Sequence, residues 1–91
     1  MMPKSERLTR LYLIARGYYV VRAAGSRGPW DIIASCGSEL LFIQCKANQL
    51  PRKDEMERLL SFNNYPKLSC IKHQIWIWKS GNHEPIITNV R

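Results

Sequence analysis

The first apolar pattern along the chain has the period of a helix and covers residues 5–16. Its apolar face is formed by Leu8, Leu11, Tyr12 and Ala15. Ser5 is suited to cap the start of this helix, and Gly17 to end it. Leu13 and Glu6 lie off the apolar face, so the periodicity does not direct the Glu6 carboxylate towards the rest of the protein.

The other apolar segments predict five strands and a second helix. Residues 18–23 form the first strand, and two apolar runs flank residues 37–38, a Gly-Ser pair typical of hairpin loops. The second helix is expected over residues 54–63, followed by strands over 74–78 and 85–90. The order α-β-β-β-α-β-β predicts an α/β fold in which helices flank a mixed central sheet. The 91 residues are expected to form a single domain, 1–91.

The predicted hairpin brings polar side chains together. With residues 37–38 as its loop, the register places Asp31 directly opposite Gln44. Lys46 lies two residues further along the same face of the strand, while Cys45 points away. Carboxylate, amide and ammonium groups are costly to bury together unless they have partners or a metal. The pattern therefore predicts a chemical site on this pair of strands.

The charge balance favours a polyanionic partner. Lys and Arg number 14 against 7 Asp and Glu, which leaves a net charge of +7, and nucleic acid is the commonest polyanion. A membrane surface is a weaker alternative, because no segment sets a basic face against a clean apolar stripe. On the second helix, Met56, Leu59 and Leu60 form the apolar side. Its acids lie beside basic residues and are expected to form a solvated face: Asp54, Glu55 and Glu57.

Cysteine usage and the absence of apolar leader or spanning segments indicate a protein of a reducing compartment. Cys36, Cys45 and Cys70 are odd in number and lack the CxxC spacing of zinc sites. We expect a cytoplasmic protein, either associated with the nucleoid or, for a viral protein, in the cytoplasm of the host. His73 and His83 have no acid or cysteine at ligand spacing, so they are expected at the surface.

A strand-borne Asp followed by x-x-Lys at the end of the next strand resembles the motif of the PD-(D/E)XK nuclease superfamily. Trp30-Asp31 stands where that motif has Pro-Asp, and Gln44-Cys45-Lys46 where it has (Asp/Glu)-x-Lys. The element order fits the restriction-endonuclease-like fold of these enzymes.

The sequence before the hairpin resembles the N-terminal segment of archaeal Holliday junction resolvases. It includes Glu6 before Gly17, and residues 20–28. The resemblance extends to the strand at 75–78, which covers most of the chain.

This resemblance implies a divalent-metal-dependent, structure-selective DNA endonuclease that needs Mg²⁺ or Mn²⁺ and no small-molecule cofactor. It implies Asp31, Gln44 and the backbone carbonyl of Cys45 as metal ligands, with Glu6 assisting. Lys46 would orient the attacking water and stabilise the charge on the phosphate. The expected DNA contacts are Ser26, Arg27, Arg7, Arg10, Lys46, Arg52 and Lys53.

Each of these residues also has a plainer interpretation. Asp31 can be a turn residue, Gln44 an edge-strand amide and Lys46 a strand-end charge in solvent. Glu6 can form a surface pair with Arg10, four residues along the helix. Gln44 is the main departure from the motif, although the Mrr-like branch of the superfamily has Gln there. An Mrr-like or flap-cutting nuclease and a degenerate nucleic-acid-binding module therefore remain alternatives.

The resemblance also implies a homodimer, because symmetric cutting of a branched DNA needs two sites. The apolar C-terminal half is the expected interface. Trp30, Trp76 and Trp78 have the rings to stack on bases, but the strand position of the last two favours core or dimer contacts.

Overall fold

The computed structural model describes residues 3–23, 30–61 (without the side chain of residue 61) and 69–90. The elements in chain order are α1 (Lys4–Ile14), β1 (Tyr19–Arg22), β2 (Ile32–Cys36), β3 (Glu39–Ala47), α2 (Lys53–Ser61), β4 (Ile71–Trp78) and β5 (Ile86–Asn89). The predicted order α-β-β-β-α-β-β is confirmed.

The five strands form one mixed sheet in the order β1-β2-β3-β4-β5. Only β3 and β4 are parallel, and α2 lies in the crossover that a parallel pair requires. The predicted hairpin register is confirmed from Cys36 opposite Glu39 to Ile32 opposite Ile43. This places β3 in the middle of the sheet, between β2 and β4, and its last residues pair with β4 beyond the end of the hairpin ladder.

Helix α1 begins without the predicted cap. Pro3 is the N-cap residue, with no side-chain hydrogen bond to the helix. Ser5 lies inside the helix and is buried, and its carbonyl accepts a hydrogen bond of 2.8 Å from the Thr9 hydroxyl. The helix ends at Ile14, two residues before the predicted end, and the Gly17 that follows has a φ of +87°, which a glycine adopts without strain.

The buried face of α1 differs from the predicted one. Ser5, Thr9 and Leu13 face the sheet, whereas Leu11 is 53% exposed. The reason is that Thr9 meets a polar group of the sheet: its hydroxyl accepts the indole N–H of Trp78 at 2.8 Å. A pattern that counts only apolar residues therefore places the helix in the wrong rotation.

The opposite face of the sheet packs against α2 through a second core. Its buried members are Trp30, Leu59, Ile75 and Ile77. Met56 packs against this core as predicted, while Leu60 is 43% exposed. The prediction of a surface His73 is wrong, because β4 is covered on both faces and the His73 ring stacks on Phe42.

The three tryptophans lie in the two cores, so they are not available to stack on bases. Strand β4 lies between β3 and β5, and most of its residues are buried on both faces. Strand β5 forms an exposed edge of the sheet, and Ile86 and Ile87 are each 43% exposed there. Within the described ranges, no helix is long and apolar enough to cross a membrane.

Candidate active site

Asp31 lies at a bend just before β2, where the ladder of the hairpin ends. Its N–H donates to the Ile43 carbonyl at 2.9 Å, although Ile43 is already the register partner of Ile32. Asp31 and Ile32 therefore both lie opposite Ile43. This is the arrangement of a β-bulge, which changes the direction of the Asp31 side chain. The predicted pairing of Asp31 with Gln44 is therefore replaced by a different contact. The carboxylate Oδ2 accepts the backbone N–H of Cys45 at 2.9 Å.

Lys46 reaches the α2 side of the sheet and forms an ion pair there. Its Nζ lies 2.6 Å from Oε2 of Glu55, and the two side chains are 19% and 25% exposed. The ammonium lowers the pKa of the Glu55 carboxyl. The expectation that Glu55 belongs to a solvated helix face is thus wrong: the start of α2 turns it towards Lys46.

Glu6 faces the sheet and the Asp31 end of it. Its Oε1 lies 3.1 Å from Nε of Arg22 on β1, and the Glu6 side chain is 13% exposed. The alternative of a surface pair with Arg10 is wrong. The cause is the rotation of α1: Leu13 is buried, and Glu6 lies two turns before it on the same side.

The charges of these residues meet at Asp31. Burial is the main cause that raises the pKa of the Asp31 carboxyl, and the nearby Glu6 carboxylate raises it further. The hydrogen bond from Cys45 and the cations of Lys46 and Arg22 act in the opposite direction. Glu6, Asp31 and Lys46 therefore share one electrostatic environment, although they come from a helix, a bend and a strand.

Gln44 and Cys45 lie beside this cluster in different ways. Gln44 is half-buried on the α2 face of β3, and no hydrogen bond joins its amide to Asp31 among the described residues. The Cys45 side chain points to the opposite face of β3 from Lys46, as predicted, and is buried against α1, where its Sγ lies 3.4 Å from the Thr9 hydroxyl. Burial raises the pKa of this thiol to about 12.

The Cys45 carbonyl lies at the end of the sheet that carries Asp31. In an antiparallel pair, the N–H and C=O of one residue point to the same neighbouring strand. The Cys45 N–H points to Asp31, while the register of β2 ends earlier, at Ile43. The carbonyl therefore extends beyond the hairpin ladder, next to the Asp31 carboxylate.

These oxygen atoms fit a hard divalent cation. Such ions prefer carboxylate and carbonyl oxygen, and the half-buried Asp31 carboxylate carries charge that its surroundings do not fully neutralise. Within residues 3–23, 30–61 and 69–90, no three acidic, His or Cys side chains form a metal-binding group. The site thus offers Asp31 and Glu6 as acids, with the Gln44 amide and the Cys45 carbonyl as neutral donors.

The expected DNA contacts lie mainly on the two helices. Arg7 and Arg10 are exposed on α1, and Arg52 and Lys53 are exposed at the start of α2. Ser26 and Arg27 lie outside the described residues. Two residues of the site, Arg22 and Glu55, carried no signal in the sequence, because each contacts the site across a gap that no local periodicity spans.

Comparison with known proteins supplies independent information about the fold. The structure resembles that of "Hjc, a Holliday junction resolvase" from Archaeoglobus fulgidus, with a TM-score of 0.72 and 24% identity over 96% of this chain and 75% of the other. This likeness, together with the mixed five-stranded sheet and flanking helices, shows the restriction-endonuclease-like α/β fold.

The sequence comparisons agree with the structural one. The chain is 36% identical over 62 residues to the "Crossover junction endodeoxyribonuclease Hjc" of Methanocaldococcus jannaschii. That match covers 64% of this chain and 46% of the relative, so the chain spans about half of the relative's length. Residues 3–75 match the sequence model of the archaeal Holliday junction resolvases, and they include every residue of the candidate site. The chain therefore belongs to the archaeal Holliday junction resolvase (Hjc) family.

Proposed function

We propose that this protein is a divalent-metal-dependent endonuclease that cuts branched DNA. The observation that carries the proposal is the meeting of Asp31, Glu6 and Lys46 at one end of the sheet, in a chain of the resolvase family. The Glu6 carboxylate and the Lys46 ammonium lie close enough to Asp31 to act on its charge, and two anionic oxygen donors with one ammonium suit the hydrolysis of a phosphodiester. The excess of basic residues favours the approach of a polyanionic substrate.

Each residue has a distinct part in this chemistry. Asp31 and Glu6 would hold a divalent cation, together with the amide of Gln44 and the carbonyl of Cys45. The cation, when bound, lowers the pKa of a water molecule and stabilises the developing charge on the phosphate. Lys46 donates hydrogen bonds to the attacking water or to a phosphate oxygen. The hydrogen bond from Cys45 to Asp31 fixes the carboxylate in one orientation.

The ion is proposed to be Mg²⁺ or Mn²⁺, because the donors are oxygen atoms and the buried Cys45 thiol points away from them. No small-molecule cofactor is proposed. The exposed basic residues on α1 and at the start of α2 would contact the phosphates of the DNA arms: Arg7, Arg10, Arg52 and Lys53. Ser26 and Arg27 are proposed as further DNA contacts.

Cleavage of a labelled four-way junction with Mg²⁺ or Mn²⁺, compared with a flap and a linear duplex, tests this function. We expect cleavage of the junction at least tenfold faster than of the duplex. Asp31→Asn and Lys46→Ala should each reduce the cleavage rate by about 10²-fold or more, the scale of losing one transition-state contact, while DNA affinity stays close to wild type. If either variant cuts at the wild-type rate, the assignment of these residues as catalytic is wrong.

A second candidate rests on Gln44. The Gln44 amide lies on β3 where the motif has an acid, which lowers the negative charge of the site. The alternative is therefore a protein that binds the metal ion weakly and binds junctions without cutting them. Tight junction binding without cleavage in either metal ion would favour that alternative. Preference for a flap or a linear duplex over the junction would instead favour the flap-cutting or Mrr-like kind of nuclease.

A further inference from the structure

Lys46 is held by a carboxylate that belongs to α2 rather than to the sheet. Oε2 of Glu55 lies 2.6 Å from the Lys46 ammonium, and both side chains are mostly covered. A lysine side chain has a flexible four-carbon stem, and an unpaired ammonium at the end of a strand would sample many positions. The contact with Glu55 restricts the ammonium to one region, next to Asp31.

Glu55 is itself fixed by the start of its helix. Its other oxygen, Oε1, accepts the backbone N–H of Arg52 at 3.3 Å and lies 3.3 Å from the Arg52 guanidinium. Since α2 begins at Lys53, this is the reach-back of a glutamate in a capping box. One oxygen of Glu55 therefore anchors the helix and the other is presented to Lys46 in a set direction.

We propose that Glu55 is a positioning residue, which holds the Lys46 ammonium at the catalytic end of β3. It also supplies from a helix part of the negative charge that the sheet lacks at Gln44. This inference rests on the proposed function, because it assigns a role to Lys46 in phosphodiester cleavage. The ion pair does not consume the lysine: an ammonium has three donors, so two remain for the attacking water and a phosphate oxygen.

The residue at position 55 allows the two roles of Glu55 to be separated. Gln retains the reach-back to the Arg52 N–H, since either residue serves in a capping box, but it removes the charge opposite Lys46. Glu55→Gln should therefore leave the helix intact. Glu57→Gln is the matched control: it makes the same change two residues further along α2, at an exposed position.

The first measurement does not depend on DNA cleavage. Purified wild type, E55Q and E57Q are treated with a limiting amount of acetic anhydride, and acetylation of Lys46 is read by peptide mass spectrometry. We expect Lys46 to be acetylated at least threefold faster in E55Q than in wild type or E57Q, with unchanged thermal midpoints. Equal acetylation in all three proteins would overturn the inference.

The second measurement is junction cleavage by the same three proteins. We expect E55Q to lower kcat at least tenfold with KM for the junction within twofold of wild type, and E57Q to match wild type in both. A kcat for E55Q equal to or above that of wild type would overturn the positioning role. The ion pair between Glu55 and Lys46 would then either have no effect on cleavage or hold Lys46 in an unproductive position. If the wild type itself cuts no DNA, the proposed function fails, while the acetylation result still decides whether Glu55 holds Lys46.

Discussion

At the scale of single residues, Asp31 is held in a position that disfavours its charge. The carboxyl lies at the half-buried end of the sheet, where burial and Glu6 raise its pKa despite the hydrogen bond from Cys45. A native state that binds this proton more tightly than the unfolded chain loses stability as pH rises from the ordinary pKa of an aspartic acid through the raised one. Above that window, the ionised group costs stability in full.

Asp31→Asn is therefore expected to stabilise the metal-free protein at neutral pH, because an amide oxygen still accepts the Cys45 N–H without carrying charge. Thermal unfolding of the two proteins from pH 3 to pH 8 measures this: the gain should be present at neutral pH and vanish at the acid end. Asp54→Asn, which removes an exposed carboxylate, should show no such gain. A variant less stable than wild type at neutral pH would contradict the argument.

Bound metal ions should reverse this difference in stability and make the wild type more stable than Asp31→Asn. A ligand that binds only the native state stabilises it by about 2.7 kcal/mol at one hundred times its Kd. We expect added Mn²⁺ to raise the thermal midpoint of wild type and not that of Asp31→Asn. An equal rise in both proteins would mean that the ion binds elsewhere.

The charge of the site should also set its affinity for the ion. Gln44→Glu adds a carboxylate on β3 and is expected to tighten Mn²⁺ binding, whereas Glu6→Gln removes one and is expected to weaken it. Calorimetric titration of both variants and wild type measures this. Because Glu6 lies 3.1 Å from Arg22, an unchanged affinity in Glu6→Gln would assign it to that ion pair alone.

The sequence alone predicts the part of the candidate site that lies on one hairpin. The alternation of β3 and the short loop before it are local, so they predicted which side chains of β3 share a face with Lys46. The Asp31 bend, the Arg22 pair and the Glu55 pair depend on how separate elements pack. No periodicity within one element carries that information, which is why Glu55 was expected in solvent.

At the scale of elements, the orientation of α1 is set by a polar contact. The Thr9 hydroxyl donates to the Ser5 carbonyl and accepts from the Trp78 indole, each at 2.8 Å. This buried contact joins the helix to β4 and turns Glu6 towards the sheet. The apolar residues predicted that a helix exists here and roughly where it ends, but not this rotation, because Ser5 and Thr9 count as polar in any such pattern.

Thr9→Val tests how much this contact contributes. Valine keeps the shape of threonine but leaves the Trp78 N–H buried without its acceptor, which costs about 1–3 kcal/mol. We expect chemical denaturation to show that loss in Thr9→Val and a smaller one in Thr9→Ser, which retains the hydroxyl. Equal losses would indicate that the methyl group, rather than the hydrogen bond, holds the helix.

At the scale of the whole molecule, the edge of the sheet formed by β5 offers a surface for an interface. The tryptophans that sequence reasoning offered for a dimer are enclosed in the two cores. In contrast, every residue of β5 is exposed, and none of the described strands pairs with the side of β5 that faces away from β4. Exposed edge strands that carry apolar residues are templates for pairing with another chain.

We therefore expect a homodimer that uses β5, which would give a junction two cutting sites. Sedimentation at micromolar concentration should show a species of about twice the 10.6 kDa chain mass. Ile87→Lys should convert it to a monomer, because a charge at the centre of an edge strand opposes pairing. The control is Leu11→Lys, at an exposed apolar position on α1, which should leave the dimer intact. A wild type that sediments only as a monomer would contradict paired cutting, and loss of the dimer in both variants would place the interface on another surface.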